Sequence, residues 1–204
     1  QAVSPMTYAT VSDLREALGH HGTAAPEWIA KMLHTVPDLP TVKNRQAYLV
    51  EKATGKRVLD LGCGGPLSAS IRAKATAYYG VDKVAGDRVV ACDLDREPET
   101  LPVYPDVELI LVAELLEHLS NPGRFLEALR AAYPTIPILV TVPHAGGYHV
   151  KGGTHEIVNG DHVAWYSYTT LETLLRRAGY QVTFARWYNG QPHTTEGLIV
   201  GATP

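Results

Sequence analysis

The stretch Val58-Leu59-Asp60-Leu61-Gly62-Cys63-Gly64-Gly65-Pro66 decides the fold of this chain. It reads as a buried strand that carries an acid near its end, then a glycine turn, then a proline suited to the first position of a helix. Glycine lets a ligand approach the backbone closely, and the start of a helix offers free N–H groups. Because Asp60 stands beside this turn, the site suits a ligand that is cationic and carries hydroxyl groups.

After Gly55 the sequence alternates strand-like and helix-like segments, which is typical of a doubly wound α/β sheet. Asn121-Pro122 predicts the start of one helix, and Thr169 with Glu172 predicts a capping box for another, which should end at Gly179. No helix fits between the last two strands, so we expect these to be antiparallel. The sequence predicts a seven-stranded, mostly parallel sheet with strands at 57–61, 77–81, 88–92, 107–113, 136–142, 180–187 and 196–202.

Residues 1–54 read as helical, with predicted helices near Thr10, after Pro26 and from about Val42 to Ala53. The first two have amphipathic patterns and no strand partners. We therefore expect two parts, an N-terminal helical lid or extension at residues 1–54 and a main domain at residues 55–204.

Composition narrows the classes of function. The 204 residues carry a net charge of -3, so a general basic surface for a long nucleic acid is not expected. No apolar run reaches the roughly 18 residues of a membrane span. The two cysteines, Cys63 and Cys92, suit the reducing cytoplasm, which is the compartment we expect. Nothing in the sequence indicates an oligomeric state.

Three successive predicted strands end in acids, which are Asp60, Asp82 and Asp93. Asp82 follows the glycine turn by about 20 residues, the spacing at which an acid binds ribose hydroxyls in nucleotide-binding folds. A nicotinamide dinucleotide is the competing ligand for such a turn. Its G-x-G-x-x-G fingerprint needs a third glycine where this chain has Leu67, which argues against it.

The run 58–66 resembles motif I of the class I S-adenosylmethionine (SAM) methyltransferases, and the resemblance extends over about residues 57–202. It implies a Rossmann-like methyltransferase fold with an antiparallel last strand. It also implies SAM as the cofactor, with Asp82 on the ribose, Asp93 on the adenine, and the turn at the amino-acid end. The expected cofactor-binding residues are Asp60, Gly62, Cys63, Gly64, Asp82, Lys83, Asp93, Leu94 and Glu114.

Two residues before the first of these strands have open roles. Arg45 and Tyr48 could reach the methionine carboxylate of SAM from the preceding helix. The alternative for Arg45 is a place on a solvated helix face.

Glu114, Glu117 and His118 are spaced i, i+3, i+4, so they share one face if a helix begins near Glu114. This Glu-x-x-Glu-His pattern looks like that of the small-RNA 3′-terminal 2′-O-methyltransferases and the ubiquinone-pathway O-methyltransferases. The former resemblance implies a bound metal and a further ligand at His162. We therefore expect Mg²⁺, Mn²⁺ or another divalent ion on Glu114, Glu117, His118 and His162.

The alternative is a metal-independent methyltransferase in which His118 or His144 is the general base. The loop at 143–168 is long enough to contact an acceptor. The resulting expectation is O-methylation of a small hydroxylated acceptor such as a sugar, nucleoside or phenolic metabolite. An NAD-dependent enzyme and a non-catalytic subunit with the same fold remain as alternatives from other classes.

Overall fold

The computed structural model describes residues 39–144, 161–188 and 197–204. The chain divides into two compact units, residues 1–38 and 39–204, and every described residue belongs to the second. The helices predicted near Thr10 and Pro26 lie outside the described residues, as does the middle of the loop predicted to contact the acceptor.

Within the described residues, eight strands form one sheet in the order β1-β7-β8-β6-β5-β2-β3-β4. The β6–β8 and β7–β8 pairs are antiparallel, and the other neighbours are parallel. The predicted fold class is confirmed. The strands are Thr41–Val42 (β1), Arg57–Leu61 (β2), Ala77–Asp82 (β3), Val89–Ala91 (β4), Leu109–Ala113 (β5), Ile138–Pro143 (β6), Gln181–Tyr188 (β7) and Gly197–Thr203 (β8).

Strand β1 was not expected, because Val42 was predicted to open a helix. Val42 instead pairs in parallel with Tyr188 at the sheet edge, and the helix starts three residues later. Asn44 caps that helix by accepting a hydrogen bond from the Ala47 N–H at 2.9 Å.

Four α-helices lie within the described residues, at Arg45–Ala53 (α1), Pro66–Lys74 (α2), Pro122–Ala132 (α3) and Tyr168–Arg177 (α4). Asn121 caps α3 as predicted, and Gly179 follows α4 with a φ of 89°. The capping box of α4 begins at Ser167, two residues before the predicted Thr169. Ser167 and Thr170 form it, because the two hydroxyls each accept the other residue's N–H.

The two faces of the sheet bury separate hydrophobic cores. Leu49 of α1 and Ile71 of α2 pack in one, while Phe125 of α3 and Leu171 of α4 pack in the other. Burying a side chain of this size stabilises the fold by about 1.5–3 kcal/mol. No helix among the described residues is both long and apolar enough to cross a membrane.

The strand order reverses between β2 and β5. The chain runs from β2 outward to β3 and β4, then returns to place β5 and β6 on the opposite side of β2. In open α/β sheets, ligands bind at such a switch point, beyond the carboxyl ends of the strands. The fold thus brings the ends of β2, β3 and β5 to one crevice.

Candidate active site

A cleft of about 920 Å³ opens at the carboxyl ends of these strands. Arg45 of α1 and Asp161 also line it, so Arg45 does not lie on a solvated helix face. Tyr48 is not among the lining residues. Of the residues predicted to bind the cofactor, the cleft is lined by Asp60, Gly62, Gly64, Asp82, Lys83, Asp93, Leu94 and Glu114.

Cys63 is placed differently from the other predicted cofactor residues. It is 6% exposed and packs in the core, where a Cβ added to Gly80 would meet its sulfur at 2.9 Å. Its side chain therefore supports the sheet beneath the cleft.

The glycine turn keeps the chain close to β3. Gly62 has a φ of 74°, which favours glycine, and its N–H donates to the Val81 carbonyl at 2.9 Å. A Cβ on Gly64 would lie 3.2 Å from an Asp82 carboxylate oxygen. Helix α2 then begins at Pro66 without a side-chain cap, and its N-terminus lies at the cleft, where Gly65, Pro66 and Leu67 are lining residues.

Asp60 is buried beneath this turn. Its Oδ2 accepts hydrogen bonds from the Ser68 hydroxyl at 2.7 Å and the Tyr78 hydroxyl at 2.9 Å. Burial raises the pKa of Asp60, while the two hydrogen bonds act in the opposite direction. A cationic ligand in the cleft would favour the ionised carboxylate.

Asp82 and Asp93, the acids at the ends of β3 and β4, are held in place by hydrogen bonds and an ion pair. Asp82 Oδ1 accepts the Lys83 N–H at 2.6 Å. Asp93 Oδ1 accepts the N–H groups of Asp95 and Arg96, and its Oδ2 lies 3.3 Å from the Lys83 ammonium. Although desolvation opposes ionisation, the Arg96 N–H and the Lys83 contacts hold the pKa of Asp93 below its ordinary value.

The helix predicted to begin near Glu114 does not form. Glu114 has a φ of 51°, and its N–H remains bonded to the Thr141 carbonyl at 2.9 Å. The chain then makes one 3₁₀ turn at Leu116–His118. The expectation that Glu114 shares a helix face with Glu117 and His118 is therefore wrong.

The Glu114 carboxylate is held by three side chains. Its Oε1 lies 2.7 Å from an Arg45 guanidinium nitrogen and accepts the Thr141 hydroxyl at 2.8 Å. The Tyr188 hydroxyl lies 3.2 Å from both carboxylate oxygens. Sequence reasoning did not identify Thr141 and Tyr188, because they come from β6 and β7, far from Glu114 in the chain.

Glu117, His118 and His162 form a compact group, with one potential ligand atom from each within 4.8 Å of the others. Glu117 is 1% exposed, and neither of its carboxylate oxygens has a hydrogen-bond partner among the described residues. Burial, together with the charge of Glu114, raises the pKa of Glu117 to about 8. Glu114, predicted as a fourth ligand, is not part of this group.

His118 connects this group to the cleft, which it lines. Its Nδ1 lies 3.1 Å from the Asp161 carbonyl oxygen, which can only accept a hydrogen bond. Nδ1 is therefore the donor of this hydrogen bond, and Nε2 is the other ring nitrogen that a ligand could contact. The His118 and His162 rings meet edge to face, with centroids 4.7 Å apart. Burial and the neighbouring His118 lower the pKa of His162.

His144, the second predicted base, lies elsewhere. It is 7% exposed, packs edge to face on Trp187 at 4.9 Å, and is not among the described residues that line the cleft. Its Nδ1 has no hydrogen-bond partner within the described ranges, and burial lowers its pKa. Of the two predicted bases, His118 therefore lies at the cleft and His144 lies in the core.

The comparison with protein families agrees with this site. The methyltransferase domain model matches residues 32–184, and the chain belongs to this family. The resemblance to class I SAM-dependent methyltransferases is thus confirmed, which decides against the nicotinamide-dependent alternative. None of the curated proteins matches the sequence at a significant level.

Solved structures share the fold at low sequence identity. The 1,6-didemethyltoxoflavin-N1-methyltransferase of Burkholderia thailandensis, solved with 1,6-didemethyltoxoflavin and S-adenosylhomocysteine, has 18% identity and a TM-score of 0.57, over 78% of this chain and 75% of that one. Magnesium protoporphyrin IX methyltransferase from Synechocystis, with bound S-adenosylhomocysteine, has 14% identity and a TM-score of 0.56, over 98% and 90%. A SAM-dependent methyltransferase from Archaeoglobus fulgidus has 15% identity and a TM-score of 0.58, over 78% and 92%.

Proposed function

We propose that this methyltransferase transfers the methyl group of SAM to a hydroxyl oxygen of a small acceptor, and that a divalent metal ion assists. One observation carries the proposal. A buried carboxylate without a hydrogen-bond partner, Glu117, lies beside two imidazoles, and one of these, His118, opens onto the cleft with the strand-end acids.

The residues of this group fit a divalent ion. Glu117 offers oxygen and the two histidines offer nitrogen, a donor set that suits Mn²⁺ and related ions, while Mg²⁺ prefers oxygen. Buried carboxyl groups are normally protonated, paired or bound to metal, and a cation would give Glu117 the partner that it lacks among the described residues. When bound, the ion would supply Lewis acidity that lowers the pKa of an acceptor hydroxyl.

The remaining cleft residues would position the reactants. Asp82 and Asp93 would accept hydrogen bonds from the ribose hydroxyls and the adenine amino group of SAM. The acceptor hydroxyl would give its proton to water, and its oxygen would attack the sulfonium methyl group in line, so that an O–C bond forms as the S–C bond breaks. S-adenosylhomocysteine would leave as the product, and positioning would supply much of the rate.

A metal-independent reaction is the second candidate, and it rests on the hydrogen bond that orients His118 at the cleft. Because Asp161 holds the proton on Nδ1, Nε2 can accept the proton of the acceptor hydroxyl. The 1,6-didemethyltoxoflavin seen in the Burkholderia enzyme is a small molecule, which supports a small acceptor here. Its reaction at nitrogen makes a nitrogen acceptor the main competing outcome.

The experiment is a panel assay for S-adenosylhomocysteine with sugar, nucleoside and phenolic acceptors, each with a matched amine. Full activity in excess EDTA would rule out the metal-assisted reaction and leave His118 as the base. The metal-assisted reaction would be supported if activity were lost in EDTA, restored by Mn²⁺ or Mg²⁺, and absent in Glu117→Gln. Glu172→Gln, at an exposed pair with Arg176, is the matched control.

A further inference from the structure

We propose that Asp95 is a positioning residue for His118, because its carboxylate holds the end of the chain segment that carries this imidazole. The proposal rests on the proposed function, in which His118 either binds the ion or accepts the proton of the acceptor. Asp95 would act on the position of His118 in the cleft and not through a contact with SAM.

Ser120 connects the two residues. It follows the 3₁₀ turn that ends at His118 by two residues and precedes helix α3. Its backbone N–H donates to Asp95 Oδ1 at 2.6 Å, and its hydroxyl donates to Asp95 Oδ2 at 3.0 Å. Hydrogen bonds to a carboxylate are roughly twice as strong as those between neutral groups. Because Ser120 itself is exposed, these two bonds and not burial hold the chain at this point.

Asp95 belongs to the loop after β4, which also carries Asp93. The Asp95 and Arg96 N–H groups both donate to Asp93 Oδ1, at 3.2 and 3.1 Å. Leu94 in this loop and Leu119 beside Ser120 are both buried, and both line the cleft. The contact of Asp95 therefore joins two segments that form adjoining parts of the cleft wall.

A second contact joins the same two segments. Arg124, in the first turn of α3, donates from Nε and from a terminal nitrogen to the two carboxylate oxygens of Glu99, each at 2.7 Å. Its other terminal nitrogen donates to the Arg96 carbonyl at 3.2 Å. Neither Arg124 nor Glu99 is among the described residues that line the cleft. These bonds remain when Asp95 is changed, so its loss should shift the end of the turn and not unfold the protein.

His118 thus lies between two attachments. One is the Asp161 carbonyl, 3.1 Å from Nδ1, and the other is Asp95, acting through Ser120. Both candidate reactions need an imidazole nitrogen at a fixed place in the cleft. A displacement of about 1 Å at a reacting group can cost about 100-fold in rate. The position of Ser120 therefore bears on catalysis although its own side chain contacts no reactant.

The first test measures the ring of His118 in the full-length protein and requires no acceptor. In protein labelled with ¹⁵N-histidine, in EDTA at about pH 8.5, where ordinary imidazoles are neutral, the wild type should show a protonated Nδ1 for His118. His118→Gln assigns this signal by its loss. Asp95→Asn and Ser120→Ala should move the ring toward the Nε2-protonated form, which a free imidazole prefers. Ser120→Thr, which keeps the hydroxyl, should keep the wild-type spectrum.

The second test is kinetic and uses the acceptor that the panel assay identifies. Asp95→Asn and Ser120→Ala should lower kcat by about tenfold, the lower end for losing a group that orients a functional residue. The KM for SAM and the calorimetric affinity for S-adenosylhomocysteine should stay close to those of the wild type.

Glu108→Gln is the matched control for both tests. This carboxylate also accepts a backbone N–H, that of Arg57 at 3.0 Å, at the opposite end of the strands from the cleft. It should change neither the spectrum of His118 nor kcat.

Two failures can be told apart. If the wild type forms no S-adenosylhomocysteine with any acceptor, the proposed function is wrong, while the spectra still decide whether Asp95 positions His118. If Asp95→Asn and Ser120→Ala keep the wild-type spectrum, or lose affinity for S-adenosylhomocysteine as strongly as they lose kcat, the positioning role is overturned. Equal changes in Glu108→Gln would overturn it as well, since they would reflect a general loss of stability.

Discussion

His118 is fixed by the backbone of Asp161, whose carbonyl oxygen lies 3.1 Å from its Nδ1. The same two segments meet again where the Val163 and Ala164 N–H groups donate to the Glu117 carbonyl, at 2.8 and 3.2 Å. These contacts carry His162 to the side of Glu117. The group of Glu117, His118 and His162 is therefore formed by two chain segments that are held together by hydrogen bonds to their backbones.

The affinity for a divalent ion should depend on Glu117 and not on Glu114. Glu117→Gln should weaken Mn²⁺ binding by more than about tenfold, since even loss of a partner that only orients a ligand has this effect. Titration of Mn²⁺ by calorimetry, with S-adenosylhomocysteine binding measured in parallel, would check it.

Glu114→Gln is the matched variant for this measurement. Its carboxylate is bound to Arg45, Thr141 and Tyr188, so the amide should keep Mn²⁺ binding close to that of the wild type. If Glu114→Gln lost the ion as completely as Glu117→Gln, all four predicted ligands would act together, and our division of the site would fail.

Asp82 should contribute to cofactor affinity. Asp82→Ala should weaken SAM binding by about 1–3 kcal/mol, the range for losing a hydrogen bond that leaves a polar partner unsatisfied. Asp87→Ala removes an exposed carboxylate that pairs with Arg72 at 2.8 Å, and it should leave SAM affinity unchanged. Equal affinity of the Asp82 variant and the wild type, measured by calorimetry, would remove Asp82 from the ribose role.

His144 should make stability depend on pH on the acid side. Burial lowers its pKa in the folded state below the ordinary value of 6.5. As the pH falls through 6.5, His144 is protonated in the unfolded chain before it is protonated in the folded protein. Protonation therefore favours the unfolded chain, and the free energy of unfolding decreases until the pH reaches the lower pKa of the folded state. The Tm of wild type should fall more steeply than that of His144→Leu between about pH 8 and about pH 5. Parallel curves would mean that His144 titrates alike in both states.

Gly197 should be needed for the position of Tyr188. A Cβ at Gly197 would collide with the Tyr188 ring, so Gly197→Ala should destabilise the fold by about 1–3 kcal/mol through overpacking. Gly123→Ala in α3 is the control, because its nearest new contact would be an ordinary 3.6 Å. Denaturant unfolding compares the two, and similar losses would show that Gly197 has no special packing role.

The alternation of buried strands with amphipathic helices was enough to predict the sheet. Val58 to Leu61 and Leu109 to Ala113 are short apolar runs flanked by turn residues, and local pattern determines such elements well. The strand-end acids were predictable for the same reason, since parallel strands bring their carboxyl ends to one edge. The edge strand Thr41–Val42 has no such pattern, because pairing with β7 creates it.

The surroundings of Glu114 could not be predicted from local spacing. The Glu-x-x-Glu-His spacing fits a helix. The Glu114 N–H, however, donates to the Thr141 carbonyl in the neighbouring strand, and this tertiary hydrogen bond determines how the chain turns after Glu114. The roles of Thr141 and Tyr188 depend on strand register across β5, β6, β8 and β7. Register of this kind is a property of the assembled sheet.

The left-handed backbone of Glu114 has a consequence for protein engineering. A non-glycine residue at this φ is strained by roughly 1–2 kcal/mol, whereas glycine adopts it freely. Glu114→Gly would relieve this strain, but it would leave the partly buried Arg45 guanidinium without its partner, a loss that outweighs the gain. A screen for thermal tolerance should therefore keep glutamate here, so selection for heat resistance and selection for an intact cleft should act in the same direction at this single position.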